Sequence, residues 1–200
     1  MDFNQTYELK NGCRQFNYFK CLQYIEHQGR VLYGNNFCIR PSQRKQLQKL
    51  LAYATENHKE CALYGVDLQK GLLVTGPENS GKTSMMHLLK PFFDPKPRYM
   101  IRSCREIAFC YQRFGKQTLQ QYVSCRMNYC FDDLGLESTT ANNREVVKSM
   151  LYHRVANTGG ITHIISNKNT DVLAELYGDA FTKMLLQHFN SITFSESFHF

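Results

Sequence analysis

Gly76-Pro77-Glu78-Asn79-Ser80-Gly81-Lys82-Thr83 sets two glycines, a lysine and a hydroxyl at the spacing G-x-x-x-x-G-K-[ST]. The stretch follows the apolar run Gly71-Leu72-Leu73-Val74-Thr75 and leads into Ser84-Met85-Met86-His87-Leu88-Leu89-Lys90. That order reads as strand, glycine loop, helix. The strand aims the loop, the glycines let backbone N–H groups close on phosphate oxygens, and the helix N-terminus adds the positive end of its dipole. Lys82 would reach the β- and γ-phosphates of ATP, the Thr83 hydroxyl would ligate Mg²⁺, and Gly76 through Ser84 form the expected nucleotide-binding stretch. An ordinary glycine turn does not account for Lys-Thr directly after the second glycine.

Two carboxylates come next. Met127-Asn128-Tyr129-Cys130-Phe131 reads as an apolar strand closing on Asp132-Asp133, which suits a Mg²⁺-dependent nucleotidase. Asp132 would hold the metal through its water shell, and Asp133 would orient or deprotonate the attacking water. Read in isolation, Asp132-Asp133-Leu134-Gly135 is also a polar turn at a strand end. Asn167 ends a further strand, Ile161–Ser166, and strand C-termini are where ligands sit in open parallel sheets. A neutral amide there binds the attacking water or a γ-phosphate oxygen without adding charge; turn chemistry alone also favours Asn.

The elements that must position these residues alternate. A helix from Pro41 to Ala54 carries Leu47, Leu50, Leu51 and Ala54 at helical spacing. Pro91, Pro95 and Pro97 break the chain after the loop helix, and Arg98–Arg102 reads as a strand. Ser103 caps a helix Arg105–Phe114 ended by Gly115. A helix from about Asn143 to Asn157 stops at Gly159-Gly160; helices near Asp171–Tyr177 and Ala180–Phe189 precede a last strand, Ser191–Phe194. Alternation of this kind means a parallel α/β sheet covered on both faces. Residues 1–40 are rich in Phe and Tyr without a clean period, and read as a small irregular or helical extension beside a main domain over 41–200.

The chain has 200 residues, 42% of them hydrophobic, and no apolar run near the ~18 residues of a membrane span. Met1-Asp2-Phe3-Asn4-Gln5 lacks the basic-then-apolar order of a signal peptide, so the expected compartment is the cytoplasm, with no membrane partner. Eight cysteines are scattered without a C-x-x-C pair, which favours buried free thiols over bridges or a zinc site. A net charge of +7 favours a polyanionic partner, or no more than a solvated basic face.

Leu68–Pro77, Cys130–Glu137 and Ile164–Asn167 followed by Leu176-Tyr177-Gly178 resemble the AAA+ ATPase domain of DnaC-type helicase loaders and the related IstB-type transposition helpers. The resemblance implies a P-loop NTPase three-layer α/β sandwich with a central, mainly five-stranded parallel sheet, a truncated lid, and ATP at the C-terminal edge. It implies Asp132 and Asp133 as the Walker B pair and Asn167 as sensor 1, so that Lys82, Asp133 and Asn167 would be catalytic and Thr83 and Asp132 metal-binding. It also implies a homo-oligomer acting on single-stranded DNA and on a replicative helicase or transposase-type protein.

One departure bears on turnover. In the loaders the helix after Tyr-Gly carries arginines that reach a neighbouring subunit's nucleotide, whereas here it reads Asp179-Ala180-Phe181-Thr182-Lys183-Met184-Leu185-Leu186-Gln187-His188-Phe189, and no arginine follows Arg154. Loss of such an arginine removes a factor of ~10³–10⁵ in rate, so ATP binding should outlast hydrolysis; Arg154 is the fallback donor. Between the second and third sheet strands, Arg102, Arg105, Tyr111, Arg113, Phe114, Lys116, Tyr122 and Arg126 suit single-stranded nucleic acid. The competing account is an amphipathic helix with core aromatics and solvated arginines. The leading expectation is a slow Mg²⁺-dependent ATPase of the loader type; a hydrolysis-poor, ATP-dependent adaptor and a viral superfamily 3-type helicase are the alternatives.

Overall fold

The structure is a computed structural model that describes residues 1–93, 98–137, 141–157 and 160–196; Pro95, Pro97 and Gly159 lie outside them. Contacts divide the chain into two compact units, Met1–Leu68 with Thr83–Lys96, and Gln69–Lys82 with Pro97–Phe200.

The first unit opens with an antiparallel hairpin, β1 (Tyr7–Lys10) and β2 (Cys13–Phe16), in register from Tyr7↔Phe16 to Lys10↔Cys13. Asn11 and Gly12 turn it, with φ of 52° and 76°, the pair of left-handed conformations a two-residue hairpin needs. Helix α1 (Tyr18–Tyr33) follows, capped by the Asn17 side chain on the Lys20 N–H. Within residues 1–40 the helical alternative holds for Tyr18–Tyr33, and a hairpin that the sequence reading lacked precedes it. The four-residue strands and the mixed face of α1 carry too short a period to register in sequence. A 3₁₀ turn at Pro41–Gln43 leads into α2 (Arg44–Ala54), then α3 (His58–Tyr64) and α4 (Lys82–Leu89). Phe92, past the end of α4, is fully buried, with the Phe3, Tyr24 and Phe16 rings 5.2, 5.8 and 5.9 Å away.

The second unit holds β3 (Gly71–Thr75), β4 (Met100–Ser103), β5 (Tyr129–Leu134), β6 (Thr162–Ser166) and β7 (Phe189–Thr193) in one parallel sheet of order β4-β5-β6-β3-β7. It is flanked by helices, among them α5 (Cys104–Phe114), α6 (Gln117–Val123), α7 (Ala141–Ala156), α8 (Thr170–Tyr177) and α9 (Asp179–His188). β3 is buried from Leu72 to Thr75 and β6 along its whole length, as continuous apolar strands of a covered parallel sheet should be. Leu73, Phe131, Ile164, Val147, Leu151 and Phe181 join one apolar cluster. β5 runs past Phe131, where the sequence ends it, to Leu134. A register shift between Phe131 and Leu134 takes up the two aspartates and lets Leu134 pair with Ser166.

Candidate phosphate-binding site

Strand order brings the sequence motifs to one edge. Thr75 and Leu134 each pair with Ser166, so β3, β6 and β5 end side by side. The loop starting at Gly76, Asn167, and the Asp132-Asp133 pair therefore occupy the C-terminal ends of three adjacent strands. Gly76 has φ 142°, and a Cβ there would lie 2.4 Å from the Phe194 carbonyl oxygen, so only glycine fits. Within the loop the Lys82 ammonium donates to the Pro77 carbonyl (2.6 Å) and to Ser80 Oγ (3.1 Å), and the residue is only 4% exposed. Burial holds the Lys82 pKa below the ordinary lysine value, opposed first by the Asp132 carboxylate and then by Glu78 and Asp133. The ammonium thus faces the acidic pair. Pro77, Glu78 and Asn79 are exposed, whereas Ser80 is buried. Thr83 and Ser84 continue the first turn of α4.

The Asp133 N–H donates to Asp132 Oδ1 (2.8 Å), and Ser103 Oγ donates to Asp133 Oδ2 (3.4 Å). Asp133 itself sits at φ 62°, in the left-handed region that Asp and Asn enter more readily than other side-chain-bearing residues. Sequence reasoning missed two residues here. Glu137 is buried, and its carboxylate accepts the Gly135 N–H (3.1 and 3.2 Å) and the Tyr177 hydroxyl; the Gly135 N–H also reaches the Tyr177 oxygen (3.0 Å). Burial raises the Glu137 pKa against these hydrogen bonds. Glu137 and Tyr177 both fall inside the stretches that carry the family resemblance, but their types and spacing do not mark them as partners.

Arg154 departs from its fallback role. It is 5% exposed, donates from Nε to Thr162 Oγ1 (2.8 Å), from Nη2 to Met127 O (2.9 Å) and Gly160 O (3.3 Å), and from Nη1 to Tyr122 O. Its guanidinium lies over the Tyr129 ring at 4.9 Å. Met127, Gly160 and Thr162 stand where β5 and β6 begin, at the opposite edge from the Gly76–Thr83 loop, and Tyr122 lies on α6. The Arg154 guanidinium is thus committed to the opposite end of the sheet from the loop. On α9, Lys183 is exposed while Met184 is buried in the core.

The basic and aromatic segment divides. Tyr122 is 8% exposed and packs edge-on against Tyr129 and Phe131, so it belongs to the core. Arg105, Phe109 and Arg113 are exposed at i, i+4 and i+8 on α5, with Phe109 63% exposed, and Arg113 stacks over Phe114 at 5.4 Å. The eight cysteines are free thiols, four of them buried. Among the described residues no cluster of three His, Cys, Asp or Glu side chains is gathered for a metal, and no helix is long and apolar enough to cross a membrane.

No protein-family profile and no curated protein matches the sequence. Solved structures do match. The DnaC helicase loader superposes with a TM-score of 0.62 at 18% identity, over 78% of this chain and 92% of that one. A putative primosome component from Streptococcus pyogenes serotype M3 gives 0.59 at 14% identity, over 80% and 84%. The replication initiator DnaA bound to AMPPCP and single-stranded DNA gives 0.55 at 12% identity, over 81% of this chain and 49% of that one. The chain has the fold of the AAA+ P-loop ATPases, in the form shared by DnaC-type helicase loaders and DnaA.

Proposed function

We propose that this chain is a replication-related, ATP-binding AAA+ protein of the helicase-loader kind. The observation that carries the reading is the alignment of the Lys82 loop, Asn167 and the Asp132-Asp133 pair on three neighbouring strand ends. Gly76 to Ser84 would bind the triphosphate. The Thr83 hydroxyl and Asp132, both hard oxygen donors, fit Mg²⁺, which takes one or two protein oxygens and completes its shell with phosphates and water. When bound, the metal neutralises charge on the β- and γ-phosphates. Asp133 and Asn167 would orient the attacking water, and Lys82 would exchange the Pro77 carbonyl for phosphate oxygens. DnaA, a fold neighbour, is solved with AMPPCP and single-stranded DNA, which supports ATP and single-stranded DNA as ligands here. The likeness to a DnaC helicase loader supports a replicative helicase as protein partner; a homo-oligomer as working form and the cytoplasm as compartment belong to the same proposal.

The hydrolysis-poor adaptor is the second reading. It is favoured by an α9 without arginine and by an Arg154 buried in the sheet. The experiment is titration of a fluorescent ATP analogue into wild type and Lys82→Ala with Mg²⁺, followed by steady-state turnover. Equal affinity in both proteins rejects the nucleotide site. Turnover at ordinary enzyme rates, about 1 s⁻¹ or faster, rejects the adaptor.

A further inference from the structure

Asp133 stands in a left-handed backbone conformation, and the bonds that hold it lead away from the loop. Leu136 N–H closes on the Asp133 carbonyl (3.0 Å), and Ser166 Oγ donates to the Leu134 carbonyl (2.7 Å). Gly135, between them, gives its N–H to the Glu137 carboxylate and the Tyr177 oxygen. Glu137 is thus a buried carboxylate held by an amide and a phenol, with Arg144 the cation whose charge it feels. Burying a charge in this way is costly, and an apolar side chain would fill the space at less cost. What the carboxylate supplies is direction. With Gly135 fixed, the Asp133 N–H stays aimed at Asp132 Oδ1, and the carboxylate of Asp132 is oriented by that bond. Tyr177 closes the circuit from the last residue of α8. Its ring packs on Phe181 of α9, with centroids 4.9 Å apart.

We propose that Glu137 and Tyr177 are positioning residues for the Asp132-Asp133 pair, setting the metal-binding carboxylate from the α8–α9 elbow; this rests on the nucleotide reading above. A hydrogen-bonded outer partner of a metal-binding group is typically worth 10–100-fold in metal affinity. Tyr177→Phe keeps the ring on Phe181 and removes only the hydroxyl. The test is a Mg²⁺ titration of binding of a fluorescent ATP analogue to the full chain. Tyr177→Phe should raise the Mg²⁺ concentration at half-saturation by about tenfold. Affinity for the analogue in EDTA should stay within about twofold, and the mutation should add nothing in an Asp132→Asn background. Without nucleotide, the Gly135 amide should exchange faster with solvent in Tyr177→Phe than in wild type. An unchanged Mg²⁺ midpoint, a parallel loss of affinity in EDTA, or full additivity with Asp132→Asn would overturn the proposal. Glu137→Ala gives a second route to the same readout if Tyr177→Phe does not fold. A wild-type chain that binds no analogue in any condition rejects the nucleotide reading, and this inference with it; that result is distinct from intact binding with an indifferent Tyr177→Phe.

Discussion

The Lys82 ammonium lies 2.6 Å from the Pro77 carbonyl of its own loop, so the cation proposed to meet phosphate already has an acceptor within the loop. Binding must exchange that bond for one to a phosphate oxygen. Charge-assisted hydrogen bonds are worth about 1.5–3 kcal/mol, so Lys82→Ala should weaken the ATP analogue roughly 10- to 100-fold with little change in thermal midpoint. Fluorescence anisotropy and a melting curve on the same sample check both halves.

Asp132 and Asp133 are neighbours with different expected phenotypes. Asp132→Asn should raise the Mg²⁺ requirement for nucleotide binding, whereas Asp133→Asn should keep bound ATP and lose hydrolysis. The left-handed φ of Asp133 adds a stability signature. Asn tolerates that region and Ala does not, so Asp133→Ala should be less stable than Asp133→Asn by about 1 kcal/mol in denaturant titrations.

His163 sets an acid limit on the fold. Its buried ring accepts the Leu72 N–H at Nδ1 (3.2 Å), and burial holds its pKa down to about 3. An unfolded imidazole takes a proton near pH 6.5, long before the folded one does. Stability should therefore be flat with respect to this group above about pH 7 and fall as pH drops from 6.5 toward 3, by several kcal/mol over the full window. His163→Gln keeps an acceptor for Leu72 without that titration, and its denaturation midpoint should vary less between pH 7.5 and 5.

Arg154 and Lys183 separate structure from turnover. Arg154→Met should destabilise by about 3 kcal/mol, because three backbone carbonyls and Thr162 lose their donor, while the folded fraction still binds ATP. The isolated wild type should hydrolyse ATP slowly, and Lys183→Arg on exposed α9 should raise the rate with protein concentration if α9 meets a neighbour's nucleotide. Met184→Arg should unfold the protein, since Met184 is core.

For single-stranded DNA the exposed ridge Arg105–Phe109–Arg113 is the segment to change. Wild-type affinity should fall steeply with salt and depend little on base sequence. The triple alanine variant should lose most of the binding at low salt, and Tyr122→Ala should act only through stability. Anisotropy of labelled oligonucleotides distinguishes the two.

Legibility in the sequence followed the physics of each signal. The strands β3 and β6 and the start of α4 were readable because unbroken apolar runs and a glycine-loop spacing are local properties. The Ser103 cap and the Gly115 stop of α5 were readable for the same reason. The hairpin of residues 7–16 was not, since four-residue strands give two alternations each. Nor was the extension of β5 through two aspartates, which depends on a register shift with β6. Arg154 and Glu137 look like ordinary surface charges in a string of letters. Only the folded chain shows that the first fastens strand beginnings and the second a strand end.

Gly76 packs closely against the Phe194 carbonyl, and the Phe194 N–H in turn donates to the Thr75 carbonyl (2.8 Å), so the mouth of the candidate phosphate loop is shaped by the residue just past β7, more than a hundred residues downstream. Part of the loop's geometry is thus encoded outside the loop. A mutational scan confined to Gly76–Thr83 would miss it, while substitutions in Ile192 to Phe194 that tilt β7 would read out as nucleotide-binding variants despite touching no residue of the motif.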